Sequence, residues 1–224
     1  MFIGHFAVAL AAKKAAPKTS LGTLILAAQL PDLLWPIFLL LGVEHARISP
    51  GATAVTPLDF TSYPLSHSLL ADIGWGLLLA GLYLLTRRNL RGGFLLALLV
   101  LSHWLLDALS HRPDLPLWPG SQTMVGLGLW NSTFATVAIE LAMFAGALGI
   151  YSSVTRPRDR TGSAALISYV AFLVFVYLGN LFGPLPPSIR AVAIAGLGIW
   201  LLVAWGYWID RHRVPASTEP QQSV

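Results

Sequence analysis

The stretch Gly93-Phe94-Leu95-Leu96-Ala97-Leu98-Leu99-Val100-Leu101-Ser102-His103-Trp104-Leu105-Leu106-Asp107-Ala108-Leu109-Ser110-His111 decides the fold. At a rise of about 1.5 Å per residue, an apolar run of this length crosses the ~30 Å hydrocarbon core of a bilayer. It nevertheless carries a histidine and an aspartate in its second half. Ionisable groups are costly in hydrocarbon unless paired, wet or metal-bound, so each is a functional candidate by default. His103, Asp107 and His111 are spaced i, i+4, i+8 and share one helix face, drifting by about 40° per step. His103 and Asp107 offer an imidazole and a carboxylate to one ion. His111 lies about 12 Å along the axis from His103 and so reaches a second ion or a substrate. Pro113 ends the helix just beyond. A simple His–Asp hydrogen bond would satisfy the pair equally well, and the pair alone leaves both readings open.

Working outward, five more runs are long enough to span a bilayer. With the first, the predicted spans are 21–43, 68–86, 93–110, 126–151, 164–182 and 191–209. A seventh apolar stretch, 2–12, is too short to cross. It has no basic segment ahead of it and no small-residue cleavage site after it, so it reads as a short re-entrant or interfacial helix, not a signal peptide. The composition agrees with this reading. Of the 224 residues 55% are hydrophobic and 11% are charged, against about 25% charged in soluble domains. The expectation is an all-α polytopic membrane helix bundle, one domain over 1–213, with a polar, disordered cytoplasmic tail over 214–224. Cysteine is absent, so a metal here must use histidine and carboxylate.

The net charge of +4 does not point to nucleic acid, because the basic residues sit in short clusters between apolar runs. Lys13, Lys14, Lys18, Arg87, Arg88, Arg91, Arg156, Arg158, Arg160, Arg211 and Arg213 fall on one side of a six-span bundle. Only Arg47, Arg112 and Arg190 fall on the other. Positive loops stay in the cytoplasm, which predicts an inner-membrane protein with a cytoplasmic C-terminus.

More polar residues fall within the spans. Asp32 sits mid-span in Gln29-Leu30-Pro31-Asp32, where Pro31 breaks the hydrogen-bond ladder; such a break is tolerated where it lines a cavity or is buried in protein. His67 opens the second span, His5 lies in the N-terminal stretch, and Glu140 lies deep in the fourth span. Asp72, a turn below His67, is a weaker candidate. Depths along the helices overlap for Asp32, His103, Glu140 and His5, whereas His67 sits higher and requires a tilted or offset second span.

These residues carry a resemblance. Gly4-His5, Leu30-Pro31-Asp32, Ser66-His67-Ser68 and Ser102-His103-x-x-x-Asp107, over roughly residues 1–145, resemble the bacterial membrane-bound metal-dependent hydrolase family. Their order is also similar to the ligand order of the zinc-dependent phospholipase C and nuclease fold. The resemblance implies His5, Asp32, His67, His103, Asp107, His111 and Glu140 as ligand candidates. It departs at Thr136, where that fold has a histidine, and at Met1-Phe2, where it has tryptophan. One or two ions, zinc or else manganese, are therefore expected.

The implied chemistry is hydrolysis. A bound divalent ion acidifies water and polarises a phosphoryl or acyl oxygen. Asp32, His67, His103 and Asp107, with His5, would hold it. Glu140 or Asp32 would serve as base, and Arg47 and Arg112 would receive a phosphate. A substrate in the bilayer, a lipid or lipid-linked phosphoester, follows from location. Two alternatives remain open: a transporter that relays protons or divalent ions through the same residues, and a non-catalytic membrane protein with a structural metal.

Overall fold

The computed structural model describes residues 1–216. Its helices are α1 Ile3–Ala12, α2 Leu21–Ala28, α3 Leu30–Leu40, α4 Pro64–His67, α5 Leu69–Arg87, α6 Leu90–Ser110, α7 Thr133–Val154, α8 Arg160–Phe182, α9 Ile189–Gly196 and α10 Ile199–Arg211. Three small antiparallel pairs accompany them: β1 His45–Ile48 with β2 Leu58–Ser62, β3 Leu115–Pro116 with β4 Met124–Val125, and β5 Thr155–Pro157 with β6 Arg213–Pro215. Among the described residues, α5, α6, α7, α8 and the α9–α10 stretch are each long and apolar enough to cross a membrane, and the bent pair α2–α3 makes a sixth when its two halves are counted as one span. The fold is therefore the expected all-α membrane bundle.

Helix starts follow local chemistry. Ser20, Ser68, Asn89, Ser132, Asp159 and Ser188 each accept a hydrogen bond from the backbone amide three residues on, which satisfies one of the free donors of a first turn. Faces turned away from the bundle stay apolar. Leu77, Leu85, Phe94, Phe134 and Phe175 are all exposed, as a bilayer requires, since helices satisfy their own backbone groups and need no polar coat. Gly22 and Gly206 bring α2 and α10 together: a Cβ on Gly206 would lie 3.0 Å from the Gly22 Cα. Small residues permit such close approach between membrane helices.

Three features position the site. First, of the two placements expected for α1, re-entrant or interfacial, its surroundings fit the re-entrant one. All of its residues but Val8 and Ala11 are buried, and it packs inside the bundle against α2, α6, α7 and α8. Its apolar residues run all the way round, so no face is suited to water. Second, the fourth span does not begin at 126. Residues 126–128 dock on the end of α6, with Leu127 N donating to Ala108 O at 2.8 Å and Gly128 N to His111 O at 2.7 Å. A Cβ at Gly126 would collide with the Arg112 carbonyl, and Gly128 has φ +73°, a region glycine enters freely. The helix starts only at Thr133, so Glu140 lies about 10 Å below its start, not about 21 Å. Third, His67 belongs to the separate turn α4. Ser68 is extended (φ −85°, ψ 148°), and this break leaves His67 buried.

The first span is broken where Pro31 predicts. Its halves bend by 57° at Gln29, and Asp32 falls in the first turn of α3. The last span is also interrupted, between Gly196 and Ile199.

The two ends of the bundle differ. At one end, Lys13 Nζ donates to Asp210 (3.1 and 3.3 Å) and to Thr19 O (2.8 Å), and Thr19 bonds Tyr83. Arg158 N donates to His212 O at 2.9 Å. The eleven clustered basic residues gather here. The other end carries the β1–β2 and β3–β4 pairs and the 183–188 connection. The last strand, β6, ends at Pro215; of the expected tail, residues 217–224 lie outside the described residues. Trp104 is buried with Trp35 and Tyr63.

Candidate metal centre

The break after α2 and the end of α6 meet through one hydrogen bond. The Ala28 carbonyl lies at the C-terminus of α2, where carbonyls lack intrahelical partners, and His103 Nδ1 approaches it to 2.8 Å. A carbonyl only accepts, so Nδ1 carries the hydrogen, and in a neutral ring Nε2 is a free lone pair. That Nε2 is buried and has no hydrogen-bond partner. It faces Asp107 Oδ2 at 3.2 Å and Asp32 Oδ1 at 3.8 Å.

His67 is oriented by the same logic. Ser66 Oγ lies 2.6 Å from Glu44 Oε2 and 2.7 Å from His67 Nδ1. The carboxylate can only accept, so the hydroxyl donates to Glu44 and accepts from His67 Nδ1–H. Glu44 is buried and fixed by the amides of Leu65 (2.8 Å) and Ser66 (2.9 Å). His67 Nε2 then points at Asp32 Oδ1 (3.5 Å) and Asp107 Oδ2 (3.7 Å).

His5, in the buried helix α1, stacks on His103 with ring centroids 3.7 Å apart, and its Nε2 lies 3.0 Å from Asp107 Oδ1. The same oxygen accepts from the Met1 amine, which also donates to Ser110 Oγ at 3.1 Å. Two ligand sets result, His5–His103–Asp107 and Asp32–His67–His103. In each, the candidate atoms lie within 4.8 Å of one another, and the sets share His103.

The remaining expected residues stand differently. His111 Nε2 is 3.9 Å from Asp107 Oδ2, at the rim of the cluster and in neither set. Its Nδ1 donates to Asp114 (3.0 Å), which also accepts from Tyr63 (2.8 Å). Glu140 Oε2 accepts from the Phe2 and Gly4 amides at 3.0 and 3.2 Å. It thus caps the N-terminus of α1 from another helix, where a negative charge also opposes the helix dipole. Arg47 and Arg112 both pair with Asp59, and Arg112 Nε also reaches Asp114 at 3.3 Å. Their charges are therefore already matched within the chain. Asp72 is fully buried, and neither of its carboxylate oxygens has a hydrogen-bond partner.

Sequence reasoning missed Glu44, Ser66, Tyr63, Asp59 and Asp114. Ser66 was within the quoted Ser66-His67-Ser68 motif, but nothing in sequence joins it to Glu44, which lies across the β1–β2 pair. The Ala28 carbonyl had no side-chain signal at all.

No curated protein and no solved structure matches the chain. The family described as YdjM inner membrane protein matches residues 1–183, a region that includes every residue of the cluster. On that match, and as an apolar helical membrane bundle, the chain belongs to the YdjM inner membrane protein family.

Proposed function

We propose that this protein is a membrane-embedded, divalent-metal-dependent hydrolase acting on a phosphoester of lipid type. The observation that carries the reading is the convergence of the His103 and His67 Nε2 lone pairs on Asp32 and Asp107, with each outer nitrogen held by its own acceptor. Metal-ligating histidines are fixed in this way: the second ring nitrogen donates to a carbonyl or carboxylate, which sets tautomer and ring orientation. The donor set, imidazole and carboxylate without thiolate, suits zinc or manganese. His103 Nε2, buried without a hydrogen-bond partner and facing Asp107 and Asp32, is the atom an ion would satisfy.

Asp32, His67, His103, Asp107 and His5 would hold one or two ions. When bound, such an ion acidifies water and polarises a phosphoryl oxygen. The chain's own contribution is placement. The α2–α3 break sets Asp32 beside the cavity, Glu44 and Ser66 aim His67, and Glu140 seats α1 and with it His5. Asp32, the more exposed of the two central carboxylates, is the better placed to accept a proton. Glu140, with Oε2 shared between two amides, serves as an anchor.

A conduit through the membrane fits less well. Leu24, Ile25, Leu96, Leu99 and Val100 are all buried and fill the bundle between the cluster and the basic end. That closes one side, as an enzyme pocket requires.

The test is elemental analysis of the detergent-purified protein beside the His103→Ala/Asp107→Ala variant, followed by phosphoester hydrolysis assays. One or two equivalents of zinc or manganese, absent from the variant together with hydrolysis, are expected. Metal retained in the variant would remove the site, and a metal-free parent after reconstitution would remove the reading.

A further inference from the structure

A cavity of about 1130 Å³ opens off the centre. Its polar floor includes Asp32, His67, Asp107 and Glu140. From there it extends between α8 and α10, along walls formed by Phe172, Val176, Leu201 and Leu202, with open space where a Cβ on Gly179 would stand. The two helices are pinned together on the side nearer the basic end, where Trp205 Nε1 donates to Ala165 O at 3.2 Å and stacks edge-on against Tyr169. Beyond that pin the space between them belongs to the cavity. Phe172 is 41% exposed and Leu201 72% exposed, so residues lining the cavity also face out of the bundle. The opening is lateral.

What lies against a lateral opening in a membrane bundle is hydrocarbon. The walls match it, being almost wholly apolar, and a cavity open to lipid with a polar floor accommodates an amphiphile. Height agrees as well. Asp107 and His103 lie about 6 and 12 Å below the end of α6 at His111, near the level where headgroup gives way to acyl chain. A lipid phosphate would move by about two helical turns to reach them. On the other side, residues 51–58 and 183–187 line the cavity and cover the approach from solvent.

We propose that the slot between α8 and α10 is a lateral entry for a membrane lipid bearing a phosphoester headgroup. Its tail lies between Phe172, Val176, Leu201 and Leu202, and its phosphoester lies over Asp32, His67 and Asp107. The headgroup's position rests on the hydrolase reading, while the tail's position does not. The unit entering is thus a phospholipid or a lipid-linked phosphoester taken from the leaflet, and the substrate class is set by the tail as much as by the phosphate.

The experiment uses the full chain reconstituted in vesicles of phosphatidylethanolamine and phosphatidylglycerol, with a trace of phosphatidylglycerol carrying a diazirine on its acyl chain. After irradiation the labelled positions are mapped by mass spectrometry. Labelling within 172–183 and 196–202 should exceed that of the equally apolar outer face at Leu77, Leu78 and Leu85 by about tenfold, the ratio that a preference of ~1.4 kcal/mol produces. Val176→Trp, which fills the slot, should remove the excess and leave the outer face labelled as before. Even labelling of slot and outer face in the unaltered protein overturns the proposal, whether or not the tryptophan variant folds. Metal analysis of the same preparation reports separately on the hydrolase reading. Slot labelling in a metal-free protein keeps the lipid entry and removes the hydrolase. A loaded centre with even labelling does the reverse.

Discussion

His103 Nδ1 and the Ala28 carbonyl, 2.8 Å apart, join α6 to the end of α2. The contact does two things: it leaves Nε2 turned toward Asp32 and Asp107 and it satisfies a buried carbonyl at the helix end. His103→Ala should therefore lower stability even in chelator, by about 1–3 kcal/mol, the usual cost of orphaning a buried polar group. The unfolding midpoint in detergent with EDTA measures this. A midpoint equal to that of the parent would mean that the Ala28 contact contributes nothing.

The chain Glu44–Ser66–His67 predicts an effect on metal without contact to it. Glu44→Gln and Ser66→Ala should each weaken metal affinity by about 10–100-fold, as outer partners of ligating histidines generally do. Competition against a chromogenic chelator reads the change directly. Unchanged affinity in both variants would leave Glu44 as a brace for the 65–66 amides and no more.

Glu140 separates anchoring from acid–base chemistry. Removal of its carboxylate in Glu140→Ala leaves the Phe2 and Gly4 amides unsatisfied and should cost about 1–2 kcal/mol, the range for a lost helix cap. Glu140→Gln keeps an acceptor for both amides and should retain most of the stability and most of the turnover. If instead Gln is as inactive as Ala while folding normally, Glu140 acts as a base and its role as an anchor is secondary.

The bundle was legible because length and apolarity decide membrane spans almost by themselves. The polar cluster was legible because ionisable residues stand out against such a background: His5, Asp32, His67, His103 and Asp107 converge although they come from α1, α3, α4 and α6. What was not legible depends on backbone breaks and loop packing. Gly126 and Gly128 read as helix, yet this segment folds against the end of α6, and so Glu140 was placed too deep. The apolar stretch of α1 read as re-entrant or interfacial because its length excludes a span, and nothing local reveals that other helices surround it. Arg47 and Arg112 were free to be phosphate ligands until Asp59, distant from Arg112 in sequence, proved to be the partner of both.

The latch at the basic end predicts strong coupling between two distant residues. Lys13 and Asp210 have side chains only 8% and 17% exposed, and Asp210 also accepts from the Leu21 amide. Lys13→Met leaves the carboxylate without its cation and should cost about 3 kcal/mol or more, as breaking a buried pair does. In Lys13→Met/Asp210→Asn part of that loss should return, because the uncompensated charge is gone while an acceptor for Leu21 remains. Equal losses in the single and double variants would show that the pair is not coupled.

The charge asymmetry predicts an orientation, and it can be tested without altering the background, since the chain contains no cysteine. Gln122 lies exposed at the end that carries the β3–β4 pair, and Lys18 lies exposed at the basic end. If the basic end is cytoplasmic, as retention of positive loops requires, Gln122→Cys should react with a membrane-impermeant maleimide in intact spheroplasts, and Lys18→Cys should react only after lysis. The reverse pattern would place the metal centre toward the cytoplasm. The lipid entering between α8 and α10 would then come from the inner leaflet, and the search for its phosphoester would move to cytoplasmic-leaflet substrates.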